Sequence, residues 1–405
     1  MSCLIQEAVD RLPSGPLREE AIKRCIAPLF SRTLANGHIY LANHSLGRPL
    51  DQMAEDVREG ITLWETKLGD AWDKWLAEQE AFRSRIAKLI GAPSADSVVP
   101  KTSAGQGLRT ILNALPGRPR VLSTRGEFDS IDLILKQYAA LDRIEMRWVE
   151  PDVDGRFTVA RLREHLRSGV DLVVISQVMF MDGQIIHDLP SLAEACHAIR
   201  ARLLVDSYHA VGVFPLDAAA MQADFMIGGS YKYLRGGPGA CFLYLSPEAL
   251  CSGLRPLDTG WFARENMFGY ERPDPPKLRF GGDAFLESTP PVLTYYQARS
   301  GQRFALAMGV ERLRAYGLDL LTRFKSYLID IGVKAVGGDT EHGAFLAVRL
   351  DNAAAISKKL AERGVITDAR GPWLRLCPDC LTTDNELRMA AAKLVQVLEQ
   401  MRYCI

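Results

Sequence analysis

Apolar positions along the chain recur with two periods, and the change from one to the other marks out its elements. Between Ala71 and Ile90, Trp72, Trp75, Leu76, Phe82, Ile86 and Leu89 keep helical spacing. Their common face predicts one amphipathic helix. Short apolar runs then alternate with helical stretches. Residues 120–123, 144–149, 171–176, 203–206, 225–227 and 241–245 read as strands. Residues 131–141, 159–166 and 192–200 read as helices. In a run such as Leu172-Val-Val-Ile175 every position is apolar, the mark of a strand covered on both faces. Such strands alternating with helices predict an α/β fold with a mainly parallel sheet. Ligands on these sheets bind outside the carboxyl ends of the strands.

Pro273-Asp-Pro-Pro276 marks a loop, and Thr289-Pro-Pro291 a boundary. Beyond it the pattern predicts helices over 292–316 and 318–331, a strand over 344–350 and a helix over 354–362. A strand over 373–376 and a helix over 385–401 finish the chain. Three parts result. An arm over residues 1–50 packs on the small domain, a large domain covers 51–288, and a smaller C-terminal α/β domain covers 289–405. No internal repeat or low-complexity tract breaks the pattern.

Composition narrows the function classes without choosing one. At 405 residues the chain can bury two cores, and 47% hydrophobic with 24% charged residues is ordinary for a globular enzyme. Basic and acidic residues balance at 49 each, so nothing selects nucleic acid or an acidic membrane as partner. No apolar stretch approaches the ~18 residues of a membrane span. The start, Met1-Ser-Cys-Leu-Ile-Gln-Glu7, has no signal-peptide core. Eight cysteines in so long a chain give no disulfide framework, and a cytoplasmic location is expected. Cys377-Pro-Asp-Cys380 is a lone CxxC with no second pair, so no metal is expected.

The candidate chemistry sits at two strand ends. Leu203-Leu-Val205 ends in Asp206, with His209 three residues on. Asp224-Phe-Met-Ile227 leads into Gly228-Gly-Ser-Tyr-Lys232-Tyr-Leu234. Pyridoxal phosphate chemistry needs this pairing. The lysine carries the cofactor aldehyde as a Schiff base, and the acid keeps the pyridine nitrogen protonated. The cofactor's phosphate needs amide donors at a helix start. Thr102-Ser103-Ala-Gly-Gln-Gly107 fits that need and fits an ordinary capped helix equally well.

These segments resemble kynureninases, in the class V branch of the fold-type I pyridoxal phosphate enzymes. Asp206-Ser-Tyr-His209-Ala-Val-Gly, Ala223-Asp-Phe225 and Tyr231-Lys232-Tyr-Leu-Arg-Gly-Gly-Pro-Gly-Ala carry the resemblance. Tyr40-Leu-Ala-Asn-His44-Ser45-Leu-Gly47, Gly260-Trp261-Phe262 and Thr289-Pro290-Pro291 agree in order. The resemblance implies a large domain with a seven-stranded, mainly parallel sheet. It implies Lys232, Asp206, Tyr231 and His209 as catalytic residues. Thr102, Ser103 and Tyr231 would hold the phosphate, Phe128 would stack on the ring, and Arg375 would receive the substrate's α-carboxylate. His44 and Ser45 would lie at the substrate. Trp261 and Thr289 would reach the phosphate of a neighbouring subunit, so a homodimer with shared sites is implied.

Three places depart from the family. Ala263-Arg264 stands where Gly-His usually follows Gly-Trp-Phe, Glu65 stands roughly where animal enzymes place a histidine, and Thr289 replaces their asparagine. Glu65 and Arg264 would face the aryl end of the substrate, either paired with each other or with Arg264 meeting a second carboxylate on a different substrate. The resemblance implies hydrolysis of kynurenine or 3-hydroxykynurenine to an anthranilate and alanine. The alternative is β-elimination or transamination of another β-substituted amino acid. Cysteine desulfurases carry a cysteine loop just before the carboxylate-binding arginine, and residues 365–375 contain no cysteine.

Overall fold

The computed structural model describes residues 3–167 and 169–402. The apolar runs stand side by side in one seven-stranded sheet. Its strands are β1 (Val98–Lys101), β2 (Arg120–Thr124), β3 (Glu145–Val149), β4 (Leu172–Ser176), β5 (Arg202–Asp206), β6 (Phe225–Gly229) and β7 (Cys241–Leu245). Their order is β1-β7-β6-β5-β4-β2-β3. The run from β6 to β3 is parallel throughout, and β7 is antiparallel to both its neighbours. Side chains alternate between two separate cores. Leu203 and Val205 enter one and Leu204 the other, as do Val173 and Ile175 against Leu172 and Val174. This is why those strands are apolar at every position.

β1 escaped the pattern because it is four residues long and contains Pro100. It forms the sheet's edge, where a missing N–H is tolerated. Helix α1 (Gln52–Lys67) also escaped, for a different reason. It packs on α2 (Trp72–Ile90) and on α3 (Val292–Met308) partly through buried charge. Arg299 of α3 meets Asp56 at 3.4 Å, Glu59 at 2.6 Å and Glu78 at 2.7 Å. Only Asp56 and Gly60 of α1 are buried, so no apolar stripe marks it.

The helices expected over 292–316 and 318–331 divide elsewhere. The break falls at Gly309, whose φ is +78°, and α4 runs unbroken over Val310–Asp330. Gly317 costs about 1 kcal/mol inside a helix. Buried Tyr316, Leu320 and Leu321 outweigh it by tertiary packing.

The C-terminal segment builds an antiparallel sheet of β8 (Leu346–Arg349), β9 (Asp368–Arg370) and β10 (Trp373–Leu376) in the order β9-β10-β8. Its core includes Phe324, Leu346, Val348 and Leu374 and takes in Ile5, Ile22, Phe30 and Ile39 of the N-terminal segment. Ile39–Tyr40 also pairs in parallel with Val365–Ile366. One buried cluster ties these parts to the large sheet. Asp379 receives Arg235 at 2.7 Å, and Arg48 binds the same carboxylate and donates to Thr382 at 3.1 Å. The two guanidinium groups hold the Asp379 carboxyl well below the usual carboxylate range against the opposing effect of burial.

Removing one partner of a buried ion cluster leaves uncompensated charge in the interior. Asp379→Ala should therefore lower stability by about 3–5 kcal/mol in urea unfolding. A loss under about 1 kcal/mol, the range of an exposed pair, would show that this cluster does not hold the segments together.

Candidate active site

The carboxyl ends of β2, β4, β5 and β6 open on one side of the sheet. There a cavity of about 520 Å³ is lined by residues that follow those strands, among them Phe128, Ser176, Asp206, His209, Tyr231 and Lys232. Asp206 is the last residue of β5 and is 4% exposed. The Tyr208 N–H donates to its Oδ1 at 2.9 Å. Lys232, 5% exposed, places Nζ 2.7 Å from His209 Nε2. The same Nζ lies 5.5 Å from the Phe128 ring centre and 5.6 Å from that of Tyr208.

The backbone around Lys232 is held from the N-terminal segment. The Gly47 N–H donates to the Tyr231 carbonyl at 2.8 Å. A Cβ at Gly47 would overlap the Lys232 carbonyl oxygen, so only glycine permits this approach.

Burial dominates the electrostatics. It pushes the Lys232 amine down, an effect opposed by Asp206 and reinforced by Arg375 and Arg370. It pushes Asp206 up, against the Tyr208 N–H and the Lys232 charge. A cationic ring nitrogen beside Asp206 would supply the charge that favours its ionised form. His209 is driven well below its ordinary value by burial, then by Lys232 and Arg375. A neutral His209 can accept from the lysine amine. Burial raises the Tyr231 phenol to about 12.

At another wall of the cavity helix α5 (Ala104–Ala114) begins. Ser103 caps it, its Oγ accepting from the Gln106 N–H at 3.1 Å. Gln106 Oε1 takes the Thr102 N–H at 2.6 Å, and Gln106 Nε2 donates to Glu287 at 3.0 Å. The first amides of a helix have no intrahelical acceptor and suit an anion. A buried acid, a lysine amine, an aromatic face and a helix start therefore share one cavity, and this donor set fits pyridoxal phosphate.

Other expected residues lie outside that wall. Arg375, on β10, is 3% exposed. Its Nη1 donates to the Phe180 carbonyl and its Nη2 to Asp368. Ser45 Oγ donates to the same Asp368 at 2.8 Å. His44 is fully buried, its ring centre 6.4 Å from that of His209. Trp261 Nε1 donates to Thr289 Oγ1 at 3.2 Å, away from the cavity wall. Glu65 is exposed on α1. Arg264 Nη1 donates to the Glu271 carbonyl at 2.7 Å. Among the described residues Glu65 and Arg264 neither pair with each other nor line this chain's cavity.

Sequence reasoning missed Asp368, Arg109 and Glu127. Arg109 lines the cavity one turn into α5, and helical spacing from Thr102 and Ser103 could have found it. Glu127 is buried between Thr124 Oγ1 at 2.7 Å and Ser176 Oγ at 2.6 Å. Burial raises its carboxyl to about 7. No local signal marks a lone glutamate as buried.

Fold and site together define a fold-type I pyridoxal phosphate enzyme. The chain belongs to the class-V aminotransferase family, which it matches over residues 45–372. It is 26% identical to the uncharacterised aminotransferase YcbU of Bacillus subtilis, over 87% of this chain and 92% of that one. It is 27% identical to a kynureninase of Geobacillus thermodenitrificans, over 86% and 85%. The kynureninase of Pseudomonas fluorescens is 26% identical over 91% and 88%. In fold it is similar to the cystine C-S lyase C-DES, at TM-score 0.81 and 18% identity over 90% of this chain and 98% of that one. A cysteine desulfurase of Thermococcus onnurineus gives TM-score 0.78 and 17% identity over 91% and 96%.

Two outcomes test the lysine. Lys232→Ala should abolish the yellow colour of the loaded protein, and borohydride reduction of wild type should label Lys232; a label on another lysine sinks the assignment. A lowered amine also changes pH dependence, because the neutral form attacks the cofactor aldehyde. Cofactor capture by the apoprotein should therefore rise with pH and level off well below the ordinary lysine value of 10.5. A rate still climbing steeply through pH 9–10 would contradict it.

Proposed function

We propose that this chain hydrolyses kynurenine or 3-hydroxykynurenine to an anthranilate and alanine. The make-up of the cavity carries the reading. Its polar part holds Asp206, Lys232 and His209, and its apolar part Phe128, Leu133, Ile134, Val178 and Phe180. The cofactor, with the substrate amine joined to it, would take the first, and an aryl ketone suits the second.

Pyridoxal phosphate, when bound, supplies the electron sink for a carbanion at the substrate's α-carbon. Asp206 would keep the ring nitrogen protonated, and Phe128 would cover the ring. Thr102, Ser103 and Tyr231 donate to the phosphate. Lys232 would take the α-proton of the substrate, a task that suits an amine whose neutral form is favoured by burial. His209 keeps that amine in place. Arg375 receives the α-carboxylate, with His44 and Ser45 beside it. Water would add to the γ-carbonyl, and cleavage of the Cβ–Cγ bond would release the anthranilate and leave the electron pair on Cβ. Tyr231 would protonate Cβ, and Lys232 would return its proton to Cα to complete alanine. Trp261 and Thr289 serve the site of a second subunit, so the working unit is a homodimer. Glu65 and Arg264 meet substrate only across that interface.

A second reading is β-elimination or transamination of another β-substituted amino acid, favoured by the fold likeness to the C-S lyase. A desulfurase reading has less support. An acceptor thiol must be accessible and readily ionised. Burial raises Cys377 to about 12 and Cys241 and Cys380 to about 11. Cys251 is exposed but does not line the cavity.

Products separate the readings. Purified enzyme with kynurenine should give anthranilate and alanine in equal amounts, with kcat/KM near ~10⁴ M⁻¹s⁻¹ or above. Asp206→Asn should keep the fold and lose about 3 kcal/mol of transition-state stabilisation. Pyruvate and ammonia from another amino acid, with no anthranilate from kynurenine, would replace the hydrolase by the lyase.

A further inference from the structure

Arg375 does not face the site as a free cation. Asp368 stands directly opposite it in the antiparallel pair β9–β10 and holds its Nη2. The same carboxylate receives Arg370 Nη1 at 2.9 Å and Ser45 Oγ at 2.8 Å, and lies 3.4 Å from His44 Nε2. His44 stays neutral here, because burial lowers it to about 3. Two guanidinium groups and one carboxylate leave a single net positive charge. Arg375 Nε is buried and has no hydrogen-bond partner among the described residues. The cluster therefore retains one unused donor edge and one unit of positive charge, enough for one carboxylate. A second carboxylate would be desolvated without a partner.

Resting on the reading of Arg375 as the α-carboxylate anchor, we propose that Asp368 is a specificity-determining positioning residue. It cancels one arginine charge, so the site takes α-amino acids with uncharged side chains and rejects dicarboxylic ones. It also holds Arg375 by Nη2, so that a substrate carboxylate meets the Nε edge.

The test is titration of the loaded enzyme with L-alanine, L-kynurenine, L-aspartate and L-glutamate, followed by the cofactor's visible spectrum. Wild type should bind the two dicarboxylates at least about tenfold more weakly than L-alanine. Asp368→Asn should shrink that ratio by about tenfold at unchanged cofactor content, and Asp368→Glu should restore it. Equal affinity of wild type for L-aspartate and L-alanine would overturn the proposal, as would an unchanged ratio in Asp368→Asn. If Asp368→Asn does not fold, Arg370→Gln tests the same charge count. It should weaken L-alanine binding by about tenfold, and unchanged binding overturns the proposal. Spectral binding without cleavage of kynurenine would defeat the hydrolase reading alone. No response to any amino acid would defeat both.

Discussion

The position of Lys232 depends on a carboxylate that takes no part in the chemistry. Asp379 lies between Arg235, three residues beyond Lys232, and Arg48, next to Gly47. Three remote segments converge on it: the turn after β6, the N-terminal segment and the loop after β10. Each arginine alone would be an expensive buried charge, and the acid between them makes both tolerable. The cluster thereby forces Gly47 against the Lys232 carbonyl. The lysine is then presented from a backbone clamped on two sides, which limits the motion open to its amine.

The same low dielectric that makes this cluster costly sets the reactivity above it. Lys232 and Asp206 are each pushed toward the neutral form by burial and back toward the charged form by the other. A pair so balanced responds strongly to any added charge, because screening by water is weak there. His209, kept neutral, accepts from the lysine amine without adding positive charge. Arg375 and Arg370 push the amine further down, and Asp368 opposes them. The carboxylate anchor and the lysine are thus electrostatically linked. A substrate that neutralises the arginines also changes the proton affinity of the lysine.

The sheet was legible because strands covered on both faces write their burial as unbroken apolar runs. Leu172–Ile175 and Leu203–Val205 could be little else. The placement of Asp206 and Lys232 at strand ends was legible because a charged residue at the end of such a run stands out against it. What stayed hidden was packing carried by charge. Helix α1 meets α3 through Asp56, Glu59 and Arg299, and those residue types read as solvent-facing. Glu127 and Asp368 were hidden in the same way. Gly317 misled in the other direction: a local helix cost stood in the sequence, while the packing of Tyr316 and Leu320 that overrides it did not.

This contrast explains why cofactor class and substrate are unequally readable in the chain. Residues proposed for this chain's cofactor ring and phosphate sit at strand ends of the large sheet or at the start of α5. Their spacing is fixed by strand order, and each follows an element with a strong period. The residues proposed for the substrate lie on β10, in the segment around His44 and Ser45, on α1 at Glu65 and on the loop at Arg264. They meet only when the terminal segments close on the sheet. Their pairing across hundreds of residues leaves no local pattern, as Ser45 with Asp368 shows. Chemistry is written along the strands, while specificity arises where separate parts of the chain touch. Substitutions in the terminal segments away from Gly47, Arg48 and Asp379 can therefore alter the substrate without disturbing the machinery proposed for the cofactor.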